Sequence, residues 1–236
     1  MLKFIGTGSC FNYKMGNNSA YYIHNVNGKK RFILFDCGED VFHKILNNNL
    51  LNEIDEVFVV ITHLHSDHVG SLPSFVFYLH FVLNIKPVIY FPCDDINIFF
   101  KLVGIQKELY LHTKDSKGYY DITPFKHNHG YELNSFGYVL NLDGNLIYYS
   151  GDTKTIDEKV LDIFRGKDTK YVNTPIKYFY QDVTKYVNDA HMNIHNLAKI
   201  FSKEERKRVT LMHFDDEEVI KIAEEYGFNI AEKKIK

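Results

Sequence analysis

At 236 residues, with 45% apolar and 25% charged side chains, the chain can bury a sizeable core and has the composition of a globular protein, not a disordered or fibrous one. A formal net charge of −2 argues against a large nucleic-acid footprint, which shows as a basic excess. The three cysteines, Cys10, Cys37 and Cys93, are widely spaced and odd in number; they form neither a disulfide framework nor a Cys-x-x-Cys metal pair, and they point to a reducing cytoplasm.

The expected elements come in two batches. Met1-Leu2-Lys3-Phe4-Ile5 reads as the start of a first strand, Leu2–Ile5, and not as a signal peptide. Gly6-Thr7-Gly8 lacks the third glycine of a dinucleotide fingerprint. Further strands are expected at Ala20–His24, Phe32–Phe35, Val57–Ile61 and Val88–Phe91, with a hairpin turn at Asn27-Gly28. Helices are expected at Val41–Leu50, Leu72–Asn84 and Ile96–Val103, the last behind a cap at Asp94 or Asp95. The apolar stretch from Phe75 to Ile85 is interrupted by His80 and too short to span a bilayer, so no membrane association is expected.

The second batch has strands at Ile122–Phe125, Tyr138–Leu142, Leu146–Tyr149, Tyr171–Asn173 and Val209–Met212, and a turn at Asp143-Gly144. Its helices read Ile156–Phe164, Ile194–Ser202 and Glu217–Tyr226. No Pro/Gly/Ser-rich linker divides the sequence, so one domain over 1–236 is expected, with half-units of roughly 1–115 and 116–236. The class is α/β; two sheets packed together with helices outside would bury both.

The chemistry concentrates in Thr62-His63-Leu64-His65-Ser66-Asp67-His68-Val69-Gly70, directly after the apolar run Val57-Phe58-Val59-Val60-Ile61. The loop therefore leaves the end of a core strand, where α/β proteins place their sites. Imidazole and carboxylate suit zinc and other borderline divalent ions. His63 and His65, at alternate positions, can converge on one ion; Asp67 and His68 can reach a second beside it.

This His-x-His-x-Asp-His-x-Gly run resembles the signature of the metallo-β-lactamase superfamily, and the resemblance implies an αββα sandwich of two mixed sheets flanked by helices. It also implies later ligands at strand ends. His129, in Lys126-His127-Asn128-His129-Gly130, has the better spacing to Gly137, with His127 as its rival. Asp152, in Ser150-Gly151-Asp152-Thr153, matches the family's bridging aspartate, and His213, in Leu211-Met212-His213-Phe214, the last ligand. The implied sets are His63, His65, His129 and Asp152 on one divalent ion, zinc or manganese, and Asp67, His68, Asp152 and His213 on the other. Asp36, in Phe35-Asp36-Cys37-Gly38, resembles the family's Asp-x-Gly turn and is expected to fix the loop.

The last third of the chain resembles the ribonuclease Z branch. There an acidic residue and a histidine precede the final ligand, and the matches are Asp182 in Gln181-Asp182-Val183-Thr184 and His191 in Asp189-Ala190-His191-Met192-Asn193, with His195 one helical turn later as the substitute. Only Gly130 to Gly151 separates the third motif from Asp152, leaving no room there for a tRNA-gripping arm. Over the whole chain the pattern is most similar to the anti-Pycsar phosphodiesterases of phages and bacteria. That resemblance implies hydrolysis of 3′,5′-cyclic mononucleotides such as cyclic CMP and cyclic UMP to nucleoside 5′-monophosphates, in the cytoplasm of a bacterial or phage-infected cell. Asp67 would position or deprotonate the water, and His191, oriented by Asp182, would protonate the leaving 3′ oxygen. A homodimer is implied, and stable nucleic-acid binding is not. Phe11, Tyr13, Tyr178 and Tyr180 lie in loop-prone stretches and are able to stack on a base; none is assigned as a contact. The competing readings are a ribonuclease Z-like endoribonuclease, a thioesterase or lactonase of the same fold, and a non-catalytic protein that sequesters a nucleotide.

Overall fold

The computed structural model describes residues 1–116, 118–129, 133–171 and 174–235. The chain divides into two units, Met1–Asp115 with Glu232–Lys236, and Ser116–Ala231.

In the first unit the strands are β1 (Lys3–Gly6), β2 (Ser19–Val26), β3 (Lys29–Phe35), β4 (Glu56–Val60), β5 (Val88–Tyr90) and β6 (Leu111–Thr113). They form one sheet in that order among the described residues. The first three are antiparallel neighbours, and β3 to β6 run parallel. Asn27 and Gly28, both at positive φ, close the β2–β3 hairpin as that dipeptide favours. Every residue from Phe32 to Phe35 and from Val57 to Val60 is buried, and this is why both segments read as unbroken apolar runs, not as alternating ones. The helices are α1 (Val41–Asn47), α2 (Ser66–Val69), α3 (Leu72–Phe81) and α4 (Asp95–Leu102). Asp94 stands at the N-cap position of α4, but its carboxylate caps nothing and pairs instead with Lys114.

The second unit repeats the plan. Its strands are β7 (Ile122–His127), β8 (Ser135–Leu142), β9 (Asn145–Tyr149), β10 (Tyr178–Asp182), β11 (Val209–Met212) and β12 (Asn229–Ile230). The sheet order is β12-β11-β10-β9-β8-β7. Again the first three strands are antiparallel and the rest parallel. The helices are α5 (Glu158–Phe164), α6 (Ile194–Ile200), α7 (Lys203–Arg206) and α8 (Glu217–Glu225). The α/β class with two mixed sheets and accompanying helices is therefore as the sequence suggests.

One expectation falls outside the described residues, and two others need correcting. Residues 172 and 173 of the expected Tyr171–Asn173 strand lie outside the described residues, and the strand that pairs with β9 and β11 is β10. Tyr178 and Tyr180 thus sit in a strand and not a loop, and Tyr180 is only 2% exposed, which removes it as a base contact. The helix expected at Ile194–Ser202 stops at Ile200, because Ser202 caps α7 through a reciprocal pair of bonds with Glu205.

Candidate active site

In the first unit, β4 delivers the chain into Thr62 and His63, and α2 turns Asp67 and His68 back toward them. His65 is the N-cap residue of α2, and its carbonyl accepts from the backbone N–H of His68 and Val69. His63 Nε2 and His65 Nδ1 lie 2.9 Å apart, and the rings of His63 and His68 are 4.0 Å apart at their centroids. His68 Nε2 is 3.4 Å from Asp67 Oδ2. Ring nitrogens that converge this closely, with a carboxylate beside them, are arranged as co-ligands of a cation are.

Asp36 holds this loop. It lies just beyond β3 at φ 59°, a conformation that costs an L-residue about 1–3 kcal/mol and persists where the surroundings over-determine it. The surroundings here are specific. Asp36 Oδ1 accepts from the Thr62 backbone N–H at 2.8 Å, and Oδ2 accepts from the Thr62 hydroxyl at 2.9 Å and meets His68 Nδ1 at 2.9 Å. With Nδ1 engaged, His68 directs Nε2 toward Asp67, the arrangement in which a carboxylate fixes the tautomer of a ligating imidazole. Burial pushes the Asp36 carboxyl up, while the charge and hydrogen bond of His68 and the bonds from Thr62 pull it down. Gly38 completes the support. A β-carbon there would lie 2.0 Å from the Asp67 carbonyl oxygen, so only glycine lets the turn approach the His/Asp loop. Cys37 N–H donates to the His68 carbonyl at this approach.

In the second unit the candidates come from four separate strand ends. Asp152 follows β9; its Oδ2 lies 3.6 Å from His129 Nε2 and 3.3 Å from His213 Nε2. His129 follows β7, and its Nδ1 is 3.0 Å from the Ala190 carbonyl, which turns Nε2 toward Asp152. His213 follows β11 at φ 62°, the same strand-end kink that Asp36 has in the first unit. His127 is placed differently. Its ring packs over Gly137, where a β-carbon would meet it at 2.4 Å, its Nδ1 is buried without a hydrogen-bond partner, and burial pushes its pKa down to about 4. It is a neutral core histidine.

Asp182 ends β10, and His191 precedes α6. Their side chains meet, with His191 Nδ1 3.0 Å from Asp182 Oδ2. Burial opposes the charge on His191, but the Asp182 hydrogen bond and the charges of Asp152, Asp182 and Asp215 outweigh it and lift the imidazole to about 9. Burial likewise pushes the Asp182 carboxyl up, and the bond and charge of His191 pull it back. His129, Asp152 and His191 can each bring a ligand atom within 4.8 Å of the others. The nitrogen of His191 that comes near Asp152, Nδ1 at 3.9 Å, is however the one bonded to Asp182. Its side chain keeps 21% exposure. The substitute, His195, is engaged with the Tyr226 hydroxyl at 2.9 Å instead.

Several supporting residues carry no motif of their own. Thr62 serves both Asp36 oxygens; the Thr153 N–H donates to Asp182 Oδ2 at 3.2 Å; Gln181 donates to Asp182 Oδ1 at 2.6 Å. Their only sequence signal is position beside a suspected ligand at a strand end.

A family model described as a beta-lactamase superfamily domain matches residues 31–214, a span that contains every candidate ligand from His63 to His213. The anti-Pycsar protein Apyc1 of Bacillus phage 010DV004 is 25% identical to this chain over 249 aligned positions, covering 91% of this chain and 89% of that protein. A ribonuclease Z of Pediococcus pentosaceus is 40% identical over 76 residues, covering 32% of this chain and 24% of that enzyme. Among solved structures, the metallo-beta-lactamase fold protein YhfI of Bacillus subtilis superposes with a TM-score of 0.71 at 18% identity, over 98% of this chain and 96% of that one.

Proposed function

The chain belongs to the metallo-β-lactamase superfamily, in its ribonuclease Z-like branch, and from that premise we propose that it is a metal-dependent phosphodiesterase that hydrolyses 3′,5′-cyclic mononucleotides, cyclic CMP and cyclic UMP among them, to nucleoside 5′-monophosphates. In an infected cell this activity would counteract Pycsar signalling. The chain is a hydrolase of this superfamily.

His63, His65, His129 and Asp152 would hold one divalent ion, and Asp67, His68, Asp152 and His213 the other. When bound, such a pair supplies an activated water and neutralises charge building up on phosphorus. The rest is the work of this chain's residues. Asp67 accepts a proton from the attacking water or orients it. Asp182 holds His191 through Nδ1, so that Nε2 delivers a proton to the departing 3′ oxygen. A general acid of this kind is worth about 10²–10⁴-fold.

The observation that carries the reading is the Asp182–His191 pair at 3.0 Å, with His191 beside the Asp152 carboxylate. A ribose alkoxide is a poor leaving group, and an imidazole held by a carboxylate is placed to give it a proton. Similarity to Apyc1 along nine-tenths of both chains favours the cyclic substrate over RNA. The ribonuclease Z match is stronger in identity but confined to 76 residues, and it supports the endoribonuclease as the second reading.

The test is metal analysis followed by chromatography of products from 3′,5′-cyclic nucleotides, cyclic dinucleotides, a pre-tRNA and a thioester panel. The proposal expects cyclic mononucleotides to yield 5′-monophosphates and the pre-tRNA to stay largely uncut. Recovery of the nucleotide unchanged after denaturation would make the protein a sponge, and pre-tRNA cleavage without cyclic-nucleotide turnover would restore the ribonuclease.

A further inference from the structure

Gln181 is fully buried in β10, one residue before the carboxylate that orients His191. Its amide is used on one side only. Nε2 donates to Asp182 Oδ1 at 2.6 Å and approaches the Asp182 carbonyl at 3.3 Å, while Oε1 is buried without a hydrogen-bond partner. The amide orientation is fixed by chemistry: an ionised carboxylate only accepts, so the NH₂ group must face Asp182. A buried acceptor left unmade weakens a fold, and an apolar residue in this central strand would avoid that loss. The donor side is what the amide contributes.

The Asp182 carboxylate is thereby held at both oxygens. Oδ1 takes the Gln181 amide; Oδ2 takes the Thr153 N–H at 3.2 Å and faces His191 Nδ1 at 3.0 Å. With Oδ1 released, the carboxylate can turn about its Cβ–Cγ bond and the Oδ2–His191 alignment becomes one orientation among several.

We infer that Gln181 is a positioning residue for proton delivery, locking the Asp182 carboxylate so that His191 presents its proton to the leaving oxygen. This rests on the phosphodiesterase reading above. The Gln181 amide donates to Asp182 and acts through it, so its removal should slow the step that needs a proton and leave the metal centre alone.

The experiment compares wild type with Gln181→Met, which keeps length and removes the donor, and Gln181→Glu, which replaces the donor by an oxygen. Each is assayed on cyclic CMP, with its alkoxide leaving group, and on bis-p-nitrophenyl phosphate, whose leaving group needs little protonation, with metal content and thermal midpoint measured alongside. Expected is a kcat loss of about 10-fold or more on cyclic CMP, a clearly smaller loss on the p-nitrophenyl ester, and unchanged metal content. Asp182→Asn supplies the second readout: if Gln181 works through Asp182, adding Gln181→Met to it costs little further, whereas a merely structural role adds in full. Should the Met variant be insoluble, the Glu variant reads the same split. Equal losses on both substrates, or full additivity with Asp182→Asn, would overturn the assignment while leaving the phosphodiesterase reading intact. Wild-type protein that turns over neither ester would remove that reading and this one together.

Discussion

The two units share a sheet plan and differ in how they encode chemistry. In the first, the donors His63, His65, Asp67 and His68 are compressed into one loop and one helical turn after β4, braced by Asp36 from the end of β3. In the second, His129, Asp152, Asp182 and His213 are contributed one each at the ends of β7, β9, β10 and β11, with His191 ahead of α6. The compact set is made of donors and their braces. The dispersed set adds the Asp152 carboxylate, which faces His129 and His213, and the Asp182–His191 pair. The first unit thus carries its candidate donors in one readable stretch of sequence, and the second spreads them over strand ends.

The sharpest way to break this contrast is to remove Asp152, the carboxylate assigned to both ions. Asp152→Ala should drop bound zinc or manganese well below about two ions per chain and cut turnover by about 10³-fold or more. Metal analysis and kcat on cyclic CMP measure this, and full occupancy with unchanged turnover would sink the assignment. His191→Ala should separate binding from reaction within the second unit. Metal content should stay intact while kcat on cyclic CMP falls by about 10²–10⁴-fold, with a smaller fall on a p-nitrophenyl diester. Equal falls on both would mean that His191 binds phosphate and donates no proton.

Smaller effects test the braces. Asp36→Asn leaves every donor in place but takes the carboxylate from Thr62 and His68, and metal affinity should fall by about 10–100-fold in a chelator titration. His127→Ala should leave metal content unchanged and lower only thermal stability, whereas His129→Ala should lose metal; the reverse order would contradict the register described here.

The smallest expected effect is on pH. The proposed acid, His191, would act only while protonated, and its carboxylate neighbours raise it to about 9, so activity should fall on the alkaline side. Asp182→Asn removes the hydrogen-bonded charge that raises it and leaves burial, which lowers it. The alkaline limb of the kcat profile should therefore move to lower pH. A limb that stays put would show that His191 does not set it.

Legibility in the sequence follows the same division. The His63–His68 cluster is readable directly, because four donors after an apolar strand have no common bland explanation. Asp152, His129 and His213 are ordinary in isolation and gain meaning only by order along a family pattern. The strand that carries Asp182 is the instructive miss. β10 begins at Tyr178 and ends in Gln181-Asp182, two polar residues that are fully buried. A strand that closes on buried functional groups lacks the apolar run that marks β4, so its signal is weakest where its chemistry is. β12, at two residues, is too short for any periodicity to register. The Ser202-x-x-Glu205 box, which the expected Ile194–Ser202 helix overran, marks where α6 ends.

The most direct test of the central claim is the identity of the product from cyclic CMP incubated with metal-loaded wild-type protein, separated from its isomer by chromatography. Cytidine 5′-monophosphate is the expected product, because the 3′ oxygen is the one that His191 is proposed to protonate. Formation of the 3′-monophosphate, or an untouched substrate beside a cleaved pre-tRNA, would contradict the account.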